Sequence, residues 1–546
     1  MTVTPDAPAR TPASFRDPAG SVFRWQDRII RAVHPDFVGQ LEAFLATAVA
    51  RAATESGALV RSQRLDQLSH NMNEGTWRTL SACRVETHLD ASSPDRHTAP
   101  DQASTRVSMR HAESVRHALP AEFCEESSLD ALTALGCNLD DDHEGAVFFE
   151  HDRVPFASYP YEWPPEMLHA AGALTLDLAL SALDESFGLK DGTPYNVLFR
   201  GTKPVFVDVL SFERRDPRDT TWMAYAQFVR TFLLPLLVSR HFGLPLQDTL
   251  SGHRDGLEPE TVYRWAGPLH RMKPSFLGLV SLPKWLSGSR RSDASLYRPK
   301  LAASAEQGQY VLRRVLQGCR RQLNSLRPET GKDSTWSGYL DRKSLYSPEQ
   351  FAEKETFVKV ALELARPANV LDVGANEGHF SCLAARQGSS VVAIDFDPAV
   401  VGSIWRRAAA DDLDVLPLVV DLARPTPATG WRNQECPSFL DRAKGQFDLV
   451  LMLAVAHHML VTERIPLEDL LALAGELSRE YVLIEFVAPE DPMFQRIVRG
   501  RESLYSHLTP SRFEVAAQAR WDLVRSKRIT GLHRWLYLYR QRHATI

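Results

Sequence analysis

Apolar positions follow two rhythms in the last third of the chain. EQFAEKETFVKVALELA (349–365), FSCLAARQ (380–387), VGSIWRRAAA (401–410) and EDLLALAGELS (468–478) have the spacing of amphipathic helices. Between them lie short, nearly continuous apolar runs: NVLDVG (369–374), SVVAIDF (390–396), VLPLVVD (415–421), FDLVLML (447–453) and YVLIEFV (481–487). Runs of that kind suit strands buried on both faces, and their alternation with helices predicts a parallel sheet with helices on either side. WDLVRSKRIT and RWLYLYR, near the C-terminus, read as an antiparallel hairpin at the sheet edge.

The pattern upstream is less regular. FRWQDRIIRAV (23–33) reads as a strand pair and FVGQLEAFLATAVARAATESG (37–57) as one helix. GAVFFEHDRVPFASYPYEW (145–163) predicts two short strands entering an aromatic corner, followed by a helix over 164–188. NVLFRGTKPVFVDVLSF (196–212) predicts a hairpin, and WMAYAQFVRTFLLPLLVSRHFG (222–243) a largely apolar helix. The stretch 89–111, rich in Ser, Pro, Asp and Arg, predicts a mobile loop. The expected organisation is a disordered N-terminus (1–20), an α+β domain (21–320), a helical linker (321–350) and a C-terminal α/β domain (351–546), as suits a chain of 546 residues.

Composition narrows the function classes. A net charge of -5, without a basic stripe interleaved with aromatics, argues against nucleic-acid binding. Six scattered cysteines, none in a CxxC pair, predict reduced thiols and no structural zinc. The first twenty residues lack the apolar core of a signal peptide and the longest apolar runs cannot span a bilayer, so the expectation is a cytoplasmic protein without membrane partners. The sequence leaves the oligomeric state open.

Candidate chemistry concentrates in two places. In VLDVGANEGHF a strand ends at Asp372 and turns through Gly374 and Gly378 into a helix, an arrangement that lets a ligand approach the backbone and a free helix N-terminus. Asp395, 17 residues beyond Gly378, ends the next strand, where a carboxylate can accept both hydroxyls of a ribose; Asp421 ends the third. Singly, such glycines and acids also serve tight turns and solvated strand ends. In this order, VLDVGANEG, AIDFDP, VVDLA and FDLVLML resemble the class I S-adenosylmethionine-dependent methyltransferases. The resemblance implies a Rossmann-like seven-stranded sheet. It also implies that Gly374, Asn376 and Gly378 line the methionine part of S-adenosylmethionine, with Asp372 at its amino group, Asp395 at the ribose and Asp421 at the adenine. AVAHHML follows the fourth strand, where this fold opens to substrate, so His457 or His458 is a candidate base, and Glu485 in LIEFVAPEDP a rival for orienting the acceptor.

The second place is KDGTPYNVLFRGTKPVFVDVLSFE. Asp191 and Asn196 have the D-x-x-x-x-N spacing of a phosphotransferase, with Asp208 following on a hairpin. The region resembles a divergent protein-kinase-like or aminoglycoside-phosphotransferase-like domain, which implies Asp191 as the catalytic acid and Asn196 and Asp208 as ligands of magnesium on ATP. It departs from that pattern in four respects: no Gly-rich loop, LKD before the acid, DVL at the second Asp, and only Arg31 or Arg61 in place of the nucleotide-pairing lysine. SYPYEWPPEML, KDGTPYNVLFRG, PVFVDVLSFE, AYAQFVRTFLLPLL and IEFVAPEDPMFQR together resemble the NoeA-like family of nodulation-associated methyltransferases. Three readings follow: a methyltransferase whose kinase-like domain helps bind a small-molecule or glycan-type acceptor, a bifunctional kinase and methyltransferase, or a methyltransferase joined to a pseudokinase scaffold.

Overall fold

The structure, a computed structural model, describes residues 9–10, 17–25, 27–65, 146–287, 300–329 and 346–542. The stretch 89–111 and most of the segments expected as a disordered N-terminus and a linker lie outside the described residues.

The N-terminal part begins with a five-stranded antiparallel sheet built from β1 (Ala9–Arg10), β2 (Gly20–Trp25), β3 (Arg28–Val33), β4 (Ser62–Arg64) and β5 (Val147–His151), in the order β1-β2-β3-β5-β4. The helix expected over 37–57 is two, Pro35–Leu45 and Ala48–Glu55. Thr47 divides them, because its hydroxyl accepts the Ala50 N–H at 3.0 Å and caps the second. Only one strand, β5, forms within 145–163. Prolines 155, 160 and 164 remove the donors that a second strand would need, and Pro160–Glu162 is a 3₁₀ turn instead. Helix Pro165–Ala182 follows. Two small antiparallel sheets then pair β6 (Phe187–Leu189) with β9 (Phe212–Arg214) and, as a hairpin between them in sequence, β7 (Val197–Arg200) with β8 (Lys203–Phe206). The apolar helix begins at Tyr225 and passes through a π-helical turn, Val229–Leu233, just before Pro235. Among the described residues one helical stretch, Pro165–Glu185, is long and apolar enough to cross a membrane, and more than half of it is buried in the protein.

Two imidazoles are enclosed in this part. Burial lowers the pKa of His151 to about 3 and that of His169 to about 4. Imidazoles of the unfolded chain titrate near 6.5. Stability tied to the neutral rings is therefore complete above that pH and falls as pH drops from about 6.5 toward about 4, by up to about 1.4 kcal/mol per pH unit for each ring. Urea midpoints should decline over this window; in a His151→Gln, His169→Gln variant the decline should be shallower, and an identical slope would place the acid sensitivity elsewhere.

The C-terminal sheet contains β10 (Asn369–Val373), β11 (Ser390–Asp395), β12 (Val415–Val419), β13 (Phe447–Met452), β14 (Ser478–Val487), β15 (Trp521–Arg528) and β16 (Arg534–Gln541). Their order is β12-β11-β10-β13-β14-β16-β15, with β10 to β14 parallel and β16 antiparallel to both neighbours. This is the expected Rossmann-like sheet with its edge hairpin. Every residue of β12 is buried, as a strand covered on both faces requires. The edge strand β15 buries Trp521 but exposes Asp522, Arg525 and Arg528, charges that discourage pairing with another chain.

The strand period divides the core. Val370, Val391 and Leu449 face helix Pro348–Ala365 through Phe357, Val358 and Ala361. Leu371, Val373, Ile394 and Leu418, on the opposite face, belong to one continuous apolar cluster that reaches into the N-terminal part. Ion pairs fasten the same boundary. Arg442, which precedes β13, pairs with the fully buried Glu162 and lies 4.8 Å over the Tyr159 ring. Arg406 pairs with Glu166, and Lys203 with Asp412 at 2.7 Å.

Candidate functional site

The glycine turn sits at the C-terminal end of β10. Gly374 (φ 64°), Asn376 (φ 49°) and Gly378 (φ 73°) are all left-handed. The glycines are required sterically as well: a Cβ on Gly374 would lie 2.9 Å from Val455, and one on Gly378 2.9 Å from Ile404. Helix His379–Arg386 leaves the turn with its N-terminus toward the strand ends.

Three carboxylates lie at or near the ends of three adjacent parallel strands. Asp395, ending β11, accepts the N–H groups of Asn376 (3.0 Å) and Asp397 (3.1 Å), which fixes its plane beside the turn, and burial raises its pKa. Asp421, just beyond β12, is half-buried; it accepts the Ala423 N–H at 2.9 Å and a guanidinium N–H of Arg424 at 3.1 Å. Asp372, inside β10, is 2% exposed and accepts the Ser381 hydroxyl at 2.6 Å. Burial pushes its pKa up to about 6, and the Ser381 hydrogen bond only partly offsets this. No cation lies within ion-pairing distance of Asp372 among the described residues, so a positive group in the turn would relieve it. Phe396, which sequence reasoning passed over, follows Asp395 with 56% of its surface exposed, an aromatic face beside that carboxylate.

Ala454 (φ 56°) turns the chain after β13 into helix Ala456–Val461. His457 is 2% exposed, with its ring 4.3 Å from that of His458 and its Nδ1 without a hydrogen-bond partner. Burial, and then the neighbouring His458, hold its pKa well below the usual imidazole value; burial also lowers that of His458. His457 is therefore neutral at ordinary pH.

Glu485 on β14 is fully buried within a charged cluster. Its carboxylate pairs with Lys354 at 2.6 Å, accepts the Tyr346 hydroxyl and lies 3.6 Å from Arg534. Arg534 donates to the Tyr346 hydroxyl at 2.5 Å and to both oxygens of Asp491, at 2.8 and 3.0 Å. Burial alone would raise the pKa of Glu485, but Lys354 and Arg534 outweigh it and keep the carboxylate ionised. The acid considered for orienting an acceptor is thus enclosed by its own partners. Tyr346, Lys354, Asp491 and Arg534 had not been singled out from the sequence.

The kinase-like constellation is also assembled, but it is closed on itself. Asp208 pairs with Arg31 at 2.7 Å and accepts the Ser211 hydroxyl, which in turn accepts an N–H of Asn196 at 3.1 Å; Asn196 also donates to the Asp191 carbonyl at 3.3 Å. Burial opposes ionisation of Asp208, yet Arg31 and Ser211 hold its pKa below normal, while burial and then Asp208 raise that of Asp191. Arg31 therefore occupies the cationic position and Arg61 is exposed. Both oxygens of Asp208 are engaged, and no group of three or more His, Cys, Asp or Glu placed to hold a metal occurs among the described residues. A magnesium ion at Asp208 would have to displace Arg31 or Ser211 from this arrangement.

A family profile described as a methyltransferase domain matches residues 348–537. The chain is 27% identical over 534 residues to nodulation protein NoeA of Rhizobium meliloti (strain 1021), covering 97% of this chain and 96% of that protein. It is also 28% identical over 141 residues to the O-antigen chain terminator bifunctional methyltransferase/kinase WbdD of Escherichia coli, a match that covers 26% of this chain and 18% of the relative. Among solved structures, the N-methyltransferase NodS from Bradyrhizobium japonicum WM9 matches over 36% of this chain and 99% of its own, with 13% identity and a TM-score of 0.28. The chain is an S-adenosylmethionine-dependent methyltransferase, similar along nearly its whole length to NoeA.

Proposed function

We propose that the protein methylates a hydroxyl or amine on a small-molecule or glycan-type acceptor that enters at the end of β13, where His457 receives the proton, and that the N-terminal part helps to hold this acceptor. The observation that carries the reading is the neutral, buried imidazole of His457, its Nδ1 unpartnered, two residues from the Val455 side chain that packs against Gly374. S-adenosylmethionine supplies an electrophilic methyl group when bound. The residues that would hold it are Gly374, Asn376 and Gly378 along its methionine part, Asp372 at its ammonium, Asp395 at its ribose and Asp421 at its adenine, with Phe396 stacked against the base. The unpaired charge of Asp372 favours this assignment, since a buried carboxylate gains most from a cation.

His457 would orient the acceptor by accepting its hydrogen and would take up that proton as the methyl group moves. Glu485 would act through Lys354 and Tyr346, keeping the wall of the site rigid. The engaged Asp208 favours a kinase-like part that positions substrate over one that turns over ATP. The name of the WbdD relative, an O-antigen chain terminator, supports a glycan-type acceptor. A boundary between the two functional parts falls within 321–350 on this reading.

Isothermal titration with S-adenosylhomocysteine and, separately, with ATP and magnesium tests the assignment. Asp395→Ala removes two charge-assisted hydrogen bonds to the ribose, and S-adenosylhomocysteine affinity should fall by roughly 10²–10⁴-fold. Unchanged affinity would remove Asp395 from the cofactor site. Stoichiometric binding of ATP with magnesium would put the bifunctional reading ahead of this one.

A further inference from the structure

The helical end of the N-terminal part exposes several large apolar side chains close together in sequence. Helices Pro259–Trp265 and Pro268–Arg271 and the helical stretch Leu277–Ser287 pack together by turning Val262, Phe276, Leu279 and Val280 inward, each no more than 2% exposed. Hydrogen bonds fix their arrangement: Trp285 donates to the Tyr263 hydroxyl at 3.4 Å, the Ser281 hydroxyl donates to the Arg271 carbonyl at 2.8 Å, and the Arg271 guanidinium stacks 4.0 Å above the Tyr263 ring. On the outside stand Trp265 (44% exposed), Leu269 (84%), Met272 (66%), Leu282 (44%) and Trp285 (51%). From Arg264 to Ser287 the sequence has four cations, Arg264, Arg271, Lys273 and Lys284, and no Asp or Glu. The acids that precede it in sequence, Glu258 and Glu260, lie at the far end of the first helix, and Glu258 is paired with Arg230 at 2.9 Å.

We propose that this face docks on an anionic lipid surface. Large apolar side chains projecting among cations, with two tryptophans, have the composition of an interfacial membrane contact. Charge decides between possible occupants. A second copy seated through the same face would bring like charges together, whereas an anionic headgroup layer complements the exposed Arg264 and Lys273. Shape points the same way, because side chains that project this far suit a deformable interface better than a preformed pocket. The expectation of no membrane partner came from the absence of a spanning segment, and a surface contact of this kind needs none. Docking would bring the methyltransferase to an acceptor held at a membrane, although the inference rests on this face alone and not on the acceptor's identity.

Flotation of the full chain with vesicles of phosphatidylcholine, with and without phosphatidylglycerol, is the test. The expected result is flotation that depends on phosphatidylglycerol and weakens as salt is raised. Each cation near such a surface contributes about fivefold to partitioning, so Arg264→Glu with Lys273→Glu should lower it by at least about 25-fold. Trp265→Ala, Leu269→Ala and Met272→Ala together should abolish flotation while S-adenosylhomocysteine binding stays unchanged, which separates lost docking from lost folding. Flotation that ignores lipid charge, or that persists in both variants, would overturn the proposal. So would lipid-free association of the wild-type chain that the triple substitution abolishes, because the occupant would then be a second copy.

Discussion

Glu485→Ala is expected to destabilise the C-terminal sheet by about 3–5 kcal/mol, a large part of the stability of any domain. The reason is the company that Glu485 keeps: Lys354 at 2.6 Å and Arg534 at 3.6 Å, both buried, would face each other without it. Asp491 would still compensate Arg534, but Lys354 has no other carboxylate within ion-pairing distance among the described residues. Urea unfolding followed by tryptophan fluorescence would measure the loss. A paired replacement, Lys354→Met with Glu485→Leu, should recover most of it, because it removes both charges and leaves apolar groups of similar size. If the single and the paired variants were equally unstable, the effect would be one of packing and not of an abandoned charge.

His457→Ala is expected to lower the turnover rate by about 10²–10⁴-fold, the range for removal of a proton acceptor positioned at the reacting group. S-adenosylhomocysteine affinity should be unchanged, because the contacts assigned to the cofactor come from β10, β11 and β12. His458→Ala is the matched control, with the same chemistry one residue away and a more exposed ring. The pH dependence has a definite sign. Since the pKa of His457 is held well below the imidazole value, the residue is already in its base form near neutrality, and its protonation should not produce a fall in kcat/KM around pH 6.5. A binding loss in place of a rate loss would move His457 from the reacting group to the cofactor pocket.

The parallel sheet was legible in the sequence because its strands are apolar on both faces and its turns carry glycines at left-handed positions. The same regularity made Asp372, Asp395 and Asp421 legible, each at or near a strand end. What escaped was the charged cluster. Its clearest trace is Lys354, which shares one helical stripe with Phe357, Val358, Ala361 and Leu362, a lysine at a position where the spacing asks for an apolar residue. Its partners Tyr346, Asp491 and Arg534 come from segments far apart in the chain, and no local pattern joins them. The closure of the kinase-like constellation was hidden for a similar reason. Arg31 lies on a strand 177 residues before Asp208, and only the folded sheet brings the guanidinium to the carboxylate. The two tryptophans of the helical end were not singled out from the sequence, since periodicity marks an apolar face without saying what covers it.

Modularity is what this architecture gives up. Helix Pro398–Ala410 touches both halves of the molecule within a few residues: Gly402 lies under Glu166, whose carboxylate would come within 2.5 Å of any Cβ added there, and Ile404 closes on Gly378 in the turn. Arg406, one helical turn beyond Gly402, pairs with Glu166. A graft that exchanged the N-terminal half for a foreign domain would therefore disturb the wall of the glycine turn as well as the contact between the halves. The two parts are fitted at a single helix, and a change in either must be accommodated by the other.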